Sequence, residues 1–444
     1  MNNDIAAQFN AQAGSDVLPL PKNGNGDYRQ PNWDWRKLEW GKIEQRVFNL
    51  QKRIYKATKA GQHRIAKKLA KLLSRSQGAV LLSVRRVTQD NQGKRSTGLD
   101  GKKYDTPVKR KQLVEKVTAD ARNGWVNYRA KPAKRKYIPK ANGKMRPLGI
   151  PTQEDRVIQH VIKTVIEPQY EAKFEPCRYG FRPAMSAQDA IEAIWLATRL
   201  IPKWCLDADI KGCFDNISQK FLIEQIDEQW QPLVNEWLKA GYIDDGTLHT
   251  TDSGTPQGSL ISPLLANIAL DNLERDLIKT LRKIKGFPTR IRNGQLKVVR
   301  YADDFVVLHK EREVVEKAQE VIQEWLNVRG LQFSPEKTRI VHTTEGFDFL
   351  GHTIRHYKND KIKGNYKKEL LKKDDFGRSK RRVEKELILQ ITPAKEKVQK
   401  HKERIAEIFS KMKSVSPDDL IIRLNPVIRG WANYYQYINS SPTF

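Results

Sequence analysis

The stretch VRYADDFVVLHK, Val299 to Lys310, sets two adjacent carboxylates, Asp303 and Asp304, between apolar runs. Val298, Val299, Tyr301 and Ala302 lead into a tight turn, and Phe305, Val306, Val307 and Leu308 lead out of it. This spacing predicts a β-hairpin with the aspartates where the strands reverse. Charge at the edge of an apolar interior is costly unless something positive meets it, so the turn is expected to face a cation.

A third acid extends the argument. Asp209 closes the apolar strand expected in WCLDADIKGCFDNI, Trp204 to Ile217. If the fold sets that strand end beside the turn, the acids repel one another until divalent cations neutralise them, and all-oxygen ligands suit Mg²⁺. Two Mg²⁺ about 4 Å apart can activate an attacking hydroxyl and stabilise a leaving phosphate oxygen, the work of nucleotidyl transfer.

The rest of the composition agrees with such chemistry. A chain of 444 residues can bury several cores, and about two to four domains are expected. With 39% hydrophobic residues, 14 Phe, 14 Tyr and 10 Trp, it is not a disordered polycation. The balance of 81 Lys+Arg against 52 Asp+Glu gives a formal charge of +29, spread too widely for one basic tail, which points to nucleic acid as partner. Cys177, Cys205 and Cys213 lack metal-ligand spacing. No apolar run approaches the roughly 20 residues of a membrane span, and MNNDIAAQFN at the start lacks the pattern of a signal peptide, so an intracellular protein without a membrane partner is expected.

Periodicity supplies the scaffold. Ile43, Val47, Leu50, Ile54 and Ala57, then Ile65, Leu69 and Leu72 beyond a turn at Gly61, predict paired helices. KYIPKANGKMRPLGIP reads as a cationic hairpin turning at Asn142-Gly143, within a span from Lys131 to Arg146 holding seven Lys/Arg and no acid. Helices are expected from Thr152 to a stop near Pro168, then over 186–200, 218–229, 262–285 and 314–327. After Gly351 the chain becomes strongly basic, with 12 Lys/Arg against five acids from Lys358 to Lys385, and two or three basic helices are expected over 378–440.

Taken in order from about Trp33 to Tyr435, these segments resemble the group II intron-encoded reverse transcriptases, or maturases. The metal-binding tetrapeptide of that family resembles Tyr301-Ala302-Asp303-Asp304, and its other catalytic aspartate falls on Asp209. The resemblance implies an α+β right-hand polymerase fold: a flexible leader over 1–32, an N-terminal helical extension over 33–88, mainly fingers over 89–206, mainly palm over 207–355, and a basic helical thumb or maturase domain over 356–444. It implies that Asp209 and Asp303 hold two Mg²⁺ while Asp304 assists, and that Asp207 and Asp215 are local turn or surface acids.

Further roles follow the same matches. Phe214 falls on the bulky gate that crowds a ribose 2′-hydroxyl, with core packing as its plain alternative. Lys144 and Arg146 of the fingers strand would meet the triphosphate of a dNTP. In SGTPQGSLISPLLANI, Gly254 and Gly258 permit close backbone approach, and Gln257 would reach the nascent base pair or template backbone. Arg182 of YGFRP is assigned to architecture or template backbone, and Lys337 of SPEKTRIVH to proton donation toward pyrophosphate. FDFLGH resembles the primer grip. Arg429, Trp431, Tyr434 and Tyr435 of NPVIRGWANYY would either bind structured RNA or pack the thumb internally.

The function so implied is an RNA-directed DNA polymerase extending a DNA or RNA primer on an RNA template. It is also a maturase that binds group II intron RNA, assists splicing and reaches a DNA target through the intron ribonucleoprotein. Such a protein would act as a monomer or homodimer in a bacterial cytoplasm, nucleoid-associated during mobility. The chain ends nine residues after Tyr435 and shows no nuclease pattern, so the C-terminal DNA-binding and HNH endonuclease regions of longer members are expected to be absent. The competing readings are a catalytically inactive RNA-binding maturase and an RNA-dependent RNA polymerase, the latter disfavoured by Phe214.

Overall fold

The computed structural model describes residues 33–139, 143, 145–256, 258–291, 295–358, 370–373, 379–382 and 387–440. The architecture is mixed α+β: an N-terminal helical region, central fingers- and palm-like sheets, and a C-terminal helical pair. The expected front helices form as Trp40–Lys59 and His63–Ser74, with Ile43, Val47, Ile54 and Ala57 turned inward on the first. Both pack against the helix Gln153–Glu171. Thr152 caps that helix by accepting from the Asp155 N–H.

This helix runs past its expected stop at Pro168. Proline cannot donate to the Thr164 carbonyl, but the Gln51 amide does so at 2.9 Å. A side chain from another helix supplies the missing donor, and the helix continues.

Three other expectations need correction. The helix over 262–285 is broken into Ser262–Ala269 and Leu273–Leu281, with Asn272 between them at φ 67°; at the break Asp271 meets Arg178 at 2.5 Å. The helix over 218–229 is only Gln219–Glu224, and a second, with Pro232 in its first turn, begins at Gln231. Over 378–440 two helices form, Lys395–Lys411 and Pro417–Tyr435, but strand precedes them. The run LILQITP is rich in β-formers and pairs along its whole length with an antiparallel neighbour, which overrides the helical reading.

The strands are β1 (Ala133–Pro139), β2 (Met145–Ile150), β3 (Trp204–Asp209), β4 (Tyr242–Asp244), β5 (Thr247–His249), β6 (Lys297–Tyr301) and β7 (Asp304–His309). After them come β8 (Arg339–His342), β9 (Phe347–Phe349), β10 (His352–Lys358), β11 (Leu370–Lys373), β12 (Ser379–Arg382) and β13 (Leu387–Pro393). The basic hairpin β1–β2 joins β4 and β5 in a four-stranded sheet ordered β2-β1-β4-β5. The palm-like sheet, ordered β6-β7-β3-β8, is antiparallel throughout.

That sheet is covered on both faces. Val298, Phe305, Val307 and Leu206 join the large core beneath the helices, whereas Val299, Val306, Leu308 and Cys205 pack with Phe347, Phe349, Ile354 and Ile391 of the β13-β10-β9 sheet. Double coverage explains why FVVL is a continuous apolar run rather than an alternating one.

Candidate active site

Pairing register brings the acids together. Asp209, the last residue of β3, stands opposite Asp304, the first of β7, and Tyr301 pairs with Asp304 from the other side. Ala302 takes the left-handed conformation at φ 59°, which makes the turn tight. Asp303 therefore sits beside the Asp209–Asp304 pair. Desolvation raises the proton affinity of Asp304, reinforced by the charge of Asp303 and the contact with Asp209. Desolvation likewise raises that of Asp303, with Asp209 adding to it.

Such mutual repulsion is what a hard divalent cation relieves, and the donors are all oxygen, so the residues fit Mg²⁺. As they stand, among the described residues, no group of three or more His, Cys, Asp or Glu is already arranged to hold a metal. Lys337 bears on that arrangement, since its Nζ lies 2.9 Å from Asp209 Oδ2. The segment leading into β8 hangs from the end of β3: Ser334 N–H donates to the Asp209 carbonyl at 2.8 Å, and Lys337 N–H to the Ser334 carbonyl at 3.1 Å. The hydrogen bond to Asp209 raises the Lys337 pKa.

The other expected residues fall around this centre. Arg146, exposed on β2, is near enough for its charge to favour ionised Asp303. Phe214 lies in the short helix Cys213–Asn216, whose backbone is tied to the following loop by Thr255 N–H to the Phe214 carbonyl at 2.6 Å and Gly254 N–H to the Ile217 carbonyl at 2.7 Å. A Cβ on Gly254 would come within 2.5 Å of the Asp215 carbonyl oxygen, and one on Gly258 within 2.4 Å of that of Gly149 on β2. The glycines thus allow this loop to lie against both the Cys213–Asn216 helix and the basic hairpin. Lys144 and Gln257 lie outside the described residues, as do the leader over 1–32 and most of the lysine-rich stretch from Lys358 to Lys385.

Several side chains stand elsewhere. Asp207 is taken by Arg339 at 3.2 Å. Arg182 is architectural: its guanidinium pairs with buried Glu171 at 2.8 Å and donates to the carbonyls of Glu175 and Arg178. Trp431, Tyr434 and Tyr435 pack inward, with the two tyrosine hydroxyls donating to the carbonyls of Leu350 and Gly351 at 2.9 and 3.1 Å, at the β9–β10 turn. Arg429 is exposed.

A buried polar frame beneath the turn was not anticipated. Arg300, in β6, is 1% exposed; its Nη1 donates to the Ala302 carbonyl at 2.8 Å and approaches Asn267 Oδ1 at 3.5 Å. Asn267 donates to the Gly180 carbonyl at 2.9 Å. Gly180 presses so closely that a Cβ would come within 2.3 Å of Ala302 N. Backbone bonds from Tyr179 N–H to the Arg300 carbonyl and from Arg300 N–H to the Cys177 carbonyl complete the frame. The available signal was an arginine inside an apolar strand, a residue type almost never buried without a task.

Comparison with known proteins matches residues 35–117 to the N-terminal domain of reverse transcriptase, residues 138–354 to reverse transcriptase (RNA-dependent DNA polymerase), and residues 398–444 to the group II intron maturase-specific domain. Protein YkfC of Escherichia coli is 33% identical over 309 residues, covering 62% of this chain and 80% of the relative. The group II intron-encoded protein LtrA of Lactococcus lactis subsp. cremoris is 33% identical over 319 residues, covering 59% of this chain and 53% of LtrA, so this chain spans about half the length of that relative. A putative COX1/OXI3 intron 1 protein of Saccharomyces cerevisiae is 31% identical over 280 residues, covering 52% of this chain and 33% of the relative.

Proposed function

The chain belongs to the group II intron-encoded reverse transcriptase and maturase family, and from that premise we propose that it is an RNA-directed DNA polymerase and a maturase binding group II intron RNA. The observation that carries the polymerase reading is the register that sets Asp209 against Asp304 beside Asp303. Asp209 and Asp303 would hold two Mg²⁺ with help from Asp304. When bound, the ions supply activation of the primer 3′-hydroxyl and neutralisation of the departing pyrophosphate.

The remaining tasks belong to the chain's own side chains. Arg146 and Lys144 attract and orient the dNTP triphosphate. Phe214 crowds the sugar edge where a 2′-hydroxyl would lie, and Gln257 contacts the nascent pair or template backbone. Lys337 holds Asp209 before substrate arrives and passes a proton toward pyrophosphate after bond formation. Fingers fall within 89–206, palm within 207–355 and thumb within 356–444, with the extension over 33–88 and the thumb helices meeting intron RNA. The same protein then assists splicing and, within the ribonucleoprotein, primes synthesis at a DNA target, which places it in the cytoplasm and at the nucleoid during mobility. Among the described residues no helix is long and apolar enough to cross a membrane.

The test is primer extension on an RNA template with Mg²⁺, comparing dNTPs with NTPs and wild type with Asp303→Asn, alongside intron RNA binding by both. DNA synthesis by wild type alone, with RNA affinity retained in D303N, supports the reading. Tight RNA binding with no synthesis by wild type moves the assignment to a maturase without polymerase activity, and substantial Mg²⁺-dependent synthesis by D303N refutes the metal assignment.

A further inference from the structure

Phe181 stands in a conformation that its side chain does not favour. Its φ is 58°, in the left-handed region, and the residue is 48% exposed at the edge of the catalytic turn. A bulky residue with positive φ is an outlier, and such conformations persist only where neighbouring structure over-determines them.

Both neighbours are fixed. On one side Gly180 is wedged against the Ala302 backbone, and its carbonyl is held by Asn267 at 2.9 Å. On the other, Arg182 donates through Nε and Nη2 to Glu171 Oε2 at 3.0 and 2.8 Å, and through Nη1 to the Glu175 and Arg178 carbonyls at 3.1 and 3.0 Å. Held at both ends, residue 181 sets its partly exposed ring beside the Cys213–Asn216 helix. There it meets Phe214 edge to face, with centroids 6.2 Å apart and planes at 76°. The Phe214 backbone is itself held by Thr255 N–H.

We infer that Phe181 is a positioning residue for sugar discrimination: its ring braces Phe214, so that the wall facing the sugar's 2′-position is a pair of aromatics rather than one. The inference rests on the reading of Phe214 as the gate. An apolar wall that can yield rejects one added hydroxyl only weakly, so the strength of exclusion depends on how firmly the ring is held. An edge-to-face neighbour supplies that stiffness, and the YGFRP segment supplies the neighbour by being clamped to the catalytic turn.

The experiment measures kcat/KM for one dNTP and the matching NTP opposite the same RNA template base. Asparagine accepts the left-handed region, so Phe181→Asn removes the ring with little backbone penalty; Phe181→Gly asks the same question should F181N fail to fold. Phe181→Tyr keeps the ring. F181N is expected to lower the dNTP-over-NTP ratio roughly three- to tenfold, F181Y to restore it, and F181N combined with Phe214→Ala to lower it no further than F214A alone. A ratio unchanged in F181N, with both substrates slowed alike, makes Phe181 plain scaffold and overturns the inference while leaving the gate intact. A ratio unchanged in F214A overturns the gate assignment, and the bracing role with it.

Discussion

Arg300 donates from Nη1 to the carbonyl oxygen of Ala302 at 2.8 Å, so a buried guanidinium holds the residue that turns the chain into Asp303. Its interior position is costly: Arg178, also buried, adds like charge, and Nε and Nη2 of both arginines have no hydrogen-bond partner among the described residues. Burial, then the charge of Arg300, lowers the Arg178 pKa to about 9. A charge kept against such opposition is better explained by geometry it imposes than by stability it adds.

Replacing it with an apolar residue of similar length therefore separates the two. Arg300→Met is expected to change unfolding free energy by only about 1–2 kcal/mol in either direction, because the lost bond to Ala302 is offset by relief of the buried charge. Primer extension should nevertheless fall by about 100-fold, since a misplacement of ~1 Å at a reacting group costs that much. Thermal unfolding and single-nucleotide incorporation, measured on the same preparation, check this. Normal incorporation would reduce Arg300 to packing.

The contact between Lys337 and Asp209 gives a second prediction. Lys337 is 65% exposed on its side chain, so solvent screens the pair and its strength is modest. Lys337→Met should lower the half-saturating Mg²⁺ concentration by no more than about fivefold, as Asp209 loses its competing cation. If Lys337 is the proton donor proposed above, the variant should also slow incorporation about 100-fold at saturating Mg²⁺. Titration of incorporation rate against Mg²⁺ resolves both effects, and an unshifted midpoint would mean that the ion pair does not compete with metal.

The difference between these residues shows what local pattern conveys. The β6–β7 hairpin was legible because turn and strand signals lie within twelve residues, and both apolar faces are printed in FVVL. Asp209 was legible as a strand end, but its pairing with Asp304 is a matter of register between distant segments. The contact to Lys337 joins positions 128 residues apart, and no periodicity reports it. Pro168 failed as a helix stop for the same reason: Gln51, remote in sequence, supplies the bond. In LILQITP the surrounding lysine excess drew attention from a strand whose pairing partner is β10. Arg300 was visible as an anomaly, yet only the folded turn shows which carbonyl it serves.

A third prediction concerns the scaffold and pH. His160, on the helix Gln153–Glu171, lies with Nδ1 2.9 Å from Ser83 Oγ. Ser83 donates its hydroxyl to the Ala79 carbonyl at 2.8 Å, leaving Oγ to accept from a neutral imidazole N–H. Burial, aided by the charges of Lys163 and Arg86, pushes the His160 pKa down to about 3. The unfolded chain takes up its proton near pH 6.5, whereas the folded chain resists until much lower pH. Stability contributed by neutral His160 is therefore complete above pH 6.5 and declines as pH falls toward 3, by about 1.4 kcal/mol per pH unit. His160→Asn keeps a donor for Ser83 and removes the titration. The stability difference between wild type and H160N, from urea unfolding at pH 7.5, 6, 5 and 4.5, should be constant above the unfolded-state pKa and shift against wild type below it. A difference that stays flat across the series would mean that the folded protein protonates His160 as readily as the unfolded chain does.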